Sequence, residues 1–134
     1  MKVIVVGCGK VGSEIISHLS REGHDITAID TNAKLIENII NKYDVMGISG
    51  SGISYDILSK ANVVGSDLFI AVTSSDETNM LSCFVAKKCG AKATIARIRN
   101  LEYSDKINRL RDDFGTRRSI RHGWSRGAYR WPCR

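Results

Sequence analysis

A doubly wound α/β sheet of parallel strands is the fold class this sequence predicts, on two observations. Short β-branched apolar runs alternate with helical patterns through the first 114 residues. The first alternation carries Gly7-Cys8-Gly9-Lys10-Val11-Gly12, the G-x-G-x-x-G spacing that leads a buried strand into a helix in Rossmann-type domains. Right-handed crossovers then give the strand order 3-2-1-4-5 expected of a nucleotide-binding version.

Each element has its own signal. Val3 to Val6 is an unbroken apolar run, as in a strand buried on both faces. Val11, Ile15 and Leu19 recur every four residues, a helical face that Gly23 ends. Ile26 to Ile29 is a second strand, ending at Asp30. Leu35, Ile36, Ile39 and Ile40 mark a second helix, with Thr31 and Asn32 as capping candidates. Val45 to Ile48 is a third strand, running into Gly50-Ser51-Gly52. A short helix carries Ile57, Leu58 and Ala61, and Leu68 to Val72 is a fourth strand. Met80, Leu81, Phe84 and Val85 mark the next helix, closed by Gly90. Ala93 to Ile98 is a fifth strand, and Ile107, Leu110 and Phe114 mark a last helix.

The chain of 134 residues is the size of one domain, 43% hydrophobic and 25% charged. Its apolar runs are far shorter than a membrane span, and no secretory signal pattern opens it, so a cytosolic protein is expected. The net charge of +6 lies wholly in the tail. Residues 1–114 balance fourteen basic against fourteen acidic side chains, whereas Gly115 to Arg134 hold six arginines and no acid. That tail also contains both tryptophans and the only proline, without helical or strand period, and is expected outside a domain spanning 1–114. A basic aromatic arm for nucleic acid or a membrane surface is the competing reading. Cys8, Cys83, Cys89 and Cys133 form no CxxC pair and the histidines have no ligand spacing to them, so neither metal nor disulfide is expected.

The glycine loop and the strand ends assemble a candidate cofactor site. Gly7 permits the turn, Gly9 lets backbone N–H groups approach a diphosphate, and Gly12 lets helix and strand pack closely. The helix N-terminus, with free amides and a positive dipole end, faces the phosphates, alongside Cys8 and Val11. Asp30, eighteen residues after Gly12, is placed to accept hydrogen bonds from an adenosine ribose and to repel a 2′-phosphate. That favours NAD or an unphosphorylated-ribose nucleotide such as ATP or ADP over NADP. Lys10 either meets a phosphate or is solvated. Thr31 follows the ribose position, and Ser51 and Gly52 border the adenine. Thr73 and Ser74 bring hydroxyls to the switch point, where helix capping over Asp76 to Asn79 competes as an explanation. Arg97 breaks an apolar run and reaches a phosphate, a partner subunit or a surface carboxylate.

Catalytic equipment is missing from this pattern. No histidine or lysine holds an obvious general-acid position and no P-loop is present, so a sensor is expected rather than an enzyme.

Met1 to Gly12, Gly23-His24-Asp25-Ile26 and Ile29-Asp30 resemble the regulatory (RCK/KTN, TrkA-type N-terminal) NAD-binding domain of Trk-type potassium uptake systems. Asp67-Leu68-Phe69-Ile70-Ala71-Val72-Thr73 followed by Asp76-Glu77-Thr78-Asn79 is similar to that family's fourth-strand segment, and Thr94 to Arg99 to its fifth strand. Two positions depart from it: Ser51 stands where the family often has an acid, and Thr116-Arg117-Arg118-Ser119 replaces its apolar sixth strand. The resemblance implies a cytoplasmic subunit, peripheral on the inner face of the membrane, assembled as a homodimer or larger ring on a membrane-embedded potassium transporter. It would bind NAD(H), or alternatively ATP/ADP, to control gating. By that match Gly7, Gly9, Lys10 and Gly12 hold phosphates, Asp30 the ribose, Thr73 and Ser74 the phosphate or distal ribose, and Arg97 lines the crevice. The cofactor half of an NAD-dependent dehydrogenase is the alternative, and no nucleic-acid partner is expected.

Overall fold

The computed structural model describes residues 1–103, 105 and 106, and the backbone of Ala128–Trp131. Five parallel strands are present, β1 (Lys2–Val6), β2 (Asp25–Asp30), β3 (Met46–Ser49), β4 (Leu68–Ala71) and β5 (Ala93–Arg97). They lie in the order β3-β2-β1-β4-β5, as the alternating pattern predicts. Four helices connect them: α1 (Lys10–Arg21), α2 (Ala33–Lys42), α3 (Tyr55–Lys60) and α4 (Asp76–Lys88).

The apolar Val3–Val6 run of β1 is central because both its faces are covered. Val3 and Val5 face α1 and α2, packing with Ile16, Ile36 and Ile39. Ile4 and Val6 face α3 and α4, packing with Leu58, Cys83 and Ala86. The two-residue alternation of a strand therefore divides one run into two cores. Val3 pairs with Ile26 on one side and with Leu68 on the other, so the carboxyl ends of β1, β2 and β4 finish level.

Two helices depart from the predicted burial. In α4 the expected marker residues Leu81 and Phe84 are 48% and 46% exposed, while Asp76, Asn79 and Ser82 are buried with Cys83 and Ala86. Asp76 and Asn79 turn inward because they hold the chain at the ends of β4 and β5, as described below, whereas the Ser82 hydroxyl donates to the Asn79 carbonyl of its own helix. In α2, Ile36 and Ile39 are buried but Ile40 is exposed, lying over Gly47 of the edge strand.

A sixth strand, β6 (Ala128–Trp131), runs antiparallel to β5, with Thr94 opposite Trp131 and Arg97 opposite Ala128. It comes from the segment expected outside the fold. The sequence hides it because an edge strand needs only a hydrogen-bonding neighbour, not an alternating apolar face. Residues 101–103, 105 and 106 are helical, and the last helix predicted around Ile107, Leu110 and Phe114 lies outside the described residues.

Candidate functional site

Parallel strands bring all their carboxyl ends to one edge, and the β1–α1 turn crosses that edge at its centre. Gly7 holds φ +99°, a region that side chains rarely adopt, and a Cβ there would meet the Val72–Thr73 peptide at about 2.8–3.0 Å. A Cβ on Gly12 would overlap the Gly7 carbonyl. Those two glycines are required by the protein's own packing. Gly9 is different: it has an ordinary extended conformation, φ −69° and ψ −161°, and a Cβ would meet nothing within 4 Å.

Gly9 is the N-cap of α1, and no side chain caps that helix. Its first turn carries no acid, and the first backbone bond accepted by Gly9 comes from Ser13. The amides of the opening turn thus point outward with the positive end of the helix dipole, beside the exposed Lys10 and half-buried Val11.

Asp30 stands next to this turn. One carboxylate oxygen accepts the Cys8 N–H at 2.8 Å and the other accepts the Asn32 N–H at 2.8 Å. The Gly7 N–H donates to the Ile29 carbonyl, so β2 and the glycine loop are tied at two points. Each Asp30 oxygen keeps acceptor capacity for a further donor. The Cys8 thiol is buried, and burial together with the Asp30 charge pushes it up to about 12, so it is no nucleophile near neutral pH. Of the two capping candidates, Asn32 caps α2 by accepting the Lys34 N–H, leaving Thr31 exposed beside Asp30.

The other predicted positions divide. Gly50 and Gly52 follow β3, where a Cβ would strike Ile57 and Val6 respectively, so both are small for the core's sake. Ser51, half-buried between them, accepts the Ile53 N–H at 3.4 Å through its hydroxyl. At the end of β4, Ser74 is exposed and its carbonyl accepts the Arg99 guanidinium. The Thr73 hydroxyl is already engaged, donating to Asn79 Oδ1 at 2.7 Å and accepting from the Ser75 N–H at 3.3 Å. Arg97, at the end of β5, is half-buried. No group of three or more His, Cys, Asp or Glu suited to a metal ion occurs among the described residues.

The family model of the TrkA-N domain matches residues 3–114, the glycine loop, Asp30 and the β4–α4 segment included. The chain belongs to the TrkA-N domain family. It is 38% identical over 104 residues to the Trk system potassium uptake protein TrkA of Halomonas elongata, covering 77% of this chain and 23% of that protein. It is 32% identical over 110 residues to a TrkA homolog of Methanothermobacter thermautotrophicus, covering 82% and 51%. The chain thus spans about a quarter to a half of these relatives' length.

Among solved structures, this TrkA-N domain is similar to the NAD(P)-binding domain of an exopolyphosphatase-related protein from Archaeoglobus fulgidus. The TM-score is 0.70 at 16% identity, over 80% of each chain. A Kef C-terminal domain from Shewanella denitrificans, in AMP-bound form, gives 0.68 at 18% identity over 82% of this chain and 67% of that one. At such identities the likeness is one of fold.

Sequence reasoning gave Asp76 and Asn79 as a helix start and as part of the family resemblance, and missed that both side chains hold this edge. Asp76 accepts the N–H groups of Arg99 and Asn100 at 2.8–3.0 Å, and Asn79 is fully buried between β4 and β5. Their burial on a helix that exposes Leu81 and Phe84 is the signal, and it appears only in three dimensions.

Proposed function

We propose that this TrkA-N domain is the nucleotide-sensing part of a regulatory subunit of a potassium uptake transporter, binding NAD(H) or ATP/ADP to control gating. It acts in the cytoplasm on the inner face of the membrane, as a homodimer or larger ring against the transporter's membrane-embedded subunit. The observation that carries the reading is Gly9. The fold gives no reason for a glycine there, whereas a diphosphate on the uncapped α1 terminus does. Asp30, 2.8 Å from the same loop's Cys8 N–H, is the acceptor for the adenosine ribose hydroxyls and repels a 2′-phosphate. Gly7 and Gly12 shape the turn, Lys10, Cys8 and Val11 border the phosphates, and Thr31 flanks the ribose. Ser51 and Gly52 border the adenine, while Ser74, Arg97 and the Thr73 backbone form the far lip.

Calorimetric titration of the full chain with NADH, NADPH, ATP and ADP tests the reading. NADH or an adenine nucleotide is expected to bind, with NADPH weaker than NADH. Absence of binding by all four removes the proposal.

A further inference from the structure

Asn79 makes four hydrogen bonds with no group left over. Its Oδ1 accepts the Thr73 N–H at 2.8 Å and the Thr73 hydroxyl at 2.7 Å. Its Nδ2 donates to the Thr73 carbonyl at 3.1 Å and to the Arg97 carbonyl at 2.8 Å. The orientation of the amide is fixed, because an N–H can only donate and a carbonyl can only accept. Accepting from and donating to the same residue is what a neighbouring strand does. Asn79 therefore replaces direct pairing beyond Ala71 and Ala96, the last paired residues of β4 and β5.

The residue it grips is also the support of the glycine loop. Gly7 lies against the Val72–Thr73 peptide, whose N–H is the one held by Asn79, and Gly12 lies against the Gly7 carbonyl. A contiguous series of contacts thus runs from the end of β5 through Asn79 and Thr73 to Gly7 and the start of α1. We infer that Asn79 is a positioning residue for the nucleotide site, setting the height of the glycine loop from behind without touching ligand. This rests on the nucleotide reading above and adds a residue to it.

The test compares the full chain, Asn79→Asp and Cys83→Ala in NADH and ADP titrations at pH 7.5 and 5.5, well below each melting temperature. Asn79→Asp keeps the acceptor for Thr73, but at neutral pH it sets a carboxylate against the Thr73 and Arg97 carbonyls. Protonation restores one donor. Cys83 is buried on the same helix and takes no part in the hydrogen bonds by which Asn79 holds Thr73, so its truncation controls for lost stability. The expected result is about tenfold weaker binding than wild type by Asn79→Asp at pH 7.5, a smaller deficit at pH 5.5, and Cys83→Ala within twofold at both.

Wild-type affinity in Asn79→Asp at both pH values overturns the inference, as does an equal loss in Cys83→Ala. Should the aspartate variant not fold, Asn79→Gln displaces the same amide by one methylene and is expected to weaken binding with no pH dependence. Unchanged affinity in that variant overturns the inference equally. If wild type binds no nucleotide, the functional reading fails, and amide chemical shifts of Gly7 to Gly9 judge the positioning separately. Displaced shifts in Asn79→Asp support it, and unchanged shifts overturn it.

Discussion

Two of the four helix N-termini at the carboxyl edge of this sheet, those of α1 and α4, are finished in opposite ways. The N-terminus of α4 is closed by its own sequence. Ser75 caps it by accepting the Thr78 N–H at 3.2 Å, and Asp76 and Glu77 supply negative charge in the first turn. Glu77 is further held by the Tyr103 hydroxyl at 2.6 Å, which keeps its carboxyl below the usual range. The N-terminus of α1 has neither cap nor acid. One terminus is satisfied internally and the other is left open, and this difference favours α1 over α4 for the anion site proposed above.

Converting the open terminus into a closed one is expected to give the largest effect. Gly9→Asp places a carboxylate at the phosphate position proposed above, in a backbone conformation any residue adopts. Nucleotide affinity should fall by about a hundredfold or more, the scale of losing charge-assisted hydrogen bonds at roughly 1.5–3 kcal/mol each. The melting temperature should hold or rise slightly, since aspartate caps a helix better than glycine by a few tenths of a kcal/mol. Calorimetry and a thermal melt on one sample check both, and retained binding would place the ligand elsewhere.

Asp30→Ala comes next. Loss of the ribose acceptor should weaken NADH about ten- to a hundredfold and narrow the preference over NADPH, read from paired titrations. Equal affinities in variant and wild type for both nucleotides would remove Asp30 from the site.

Ser75→Ala probes the closed terminus. Stability should drop by about 1 kcal/mol in urea unfolding while nucleotide affinity changes less than twofold. A large affinity loss without destabilisation would show that α4, too, serves the ligand.

The smallest effect concerns the buried thiols of Cys8 and Cys83. Burial pushes the Cys83 thiol from 9.0 up to about 12. Its folded value is raised, so the stability it contributes is complete below the ordinary thiol range and is lost as pH rises through that interval. Urea midpoints from pH 8 to 11 should fall less steeply for Cys83→Ala than for wild type. At pH 8, Cys8 and Cys83 should resist alkylation until the protein is unfolded.

The sequence carries the open terminus plainly and the closed one poorly. G-x-G-x-x-G, the buried run Val3 to Val6 and Asp30 at its distance are local patterns with local causes, so the strand order and the place of Asp30 beside the glycine loop were legible. The spacing of Gly50 and Gly52 suggested a ligand, but their smallness answers to Ile57 and Val6, which are distant in sequence or role. Thr73 has the right residue type at a strand end, yet Asn79 takes its hydroxyl. The inward polar face of α4 was not legible because apolar spacing marks Leu81 and Phe84. Only the separation of β4 from β5 explains why polar groups are needed inside. The strand β6 had no pattern of its own to find.

That last strand also orders events in time. At a synthesis rate of about 5–20 residues per second, the stretch from Arg97 to Ala128 takes roughly 2–6 s to be made. β6 is the last strand of the sheet to be synthesised, so β5 meets its outer neighbour only after β1 to β5 have been made. The newborn sheet therefore passes through a stage with a bare hydrogen-bonding edge, open to strands of neighbouring chains on the same message. Pairing with β6 is what closes that edge.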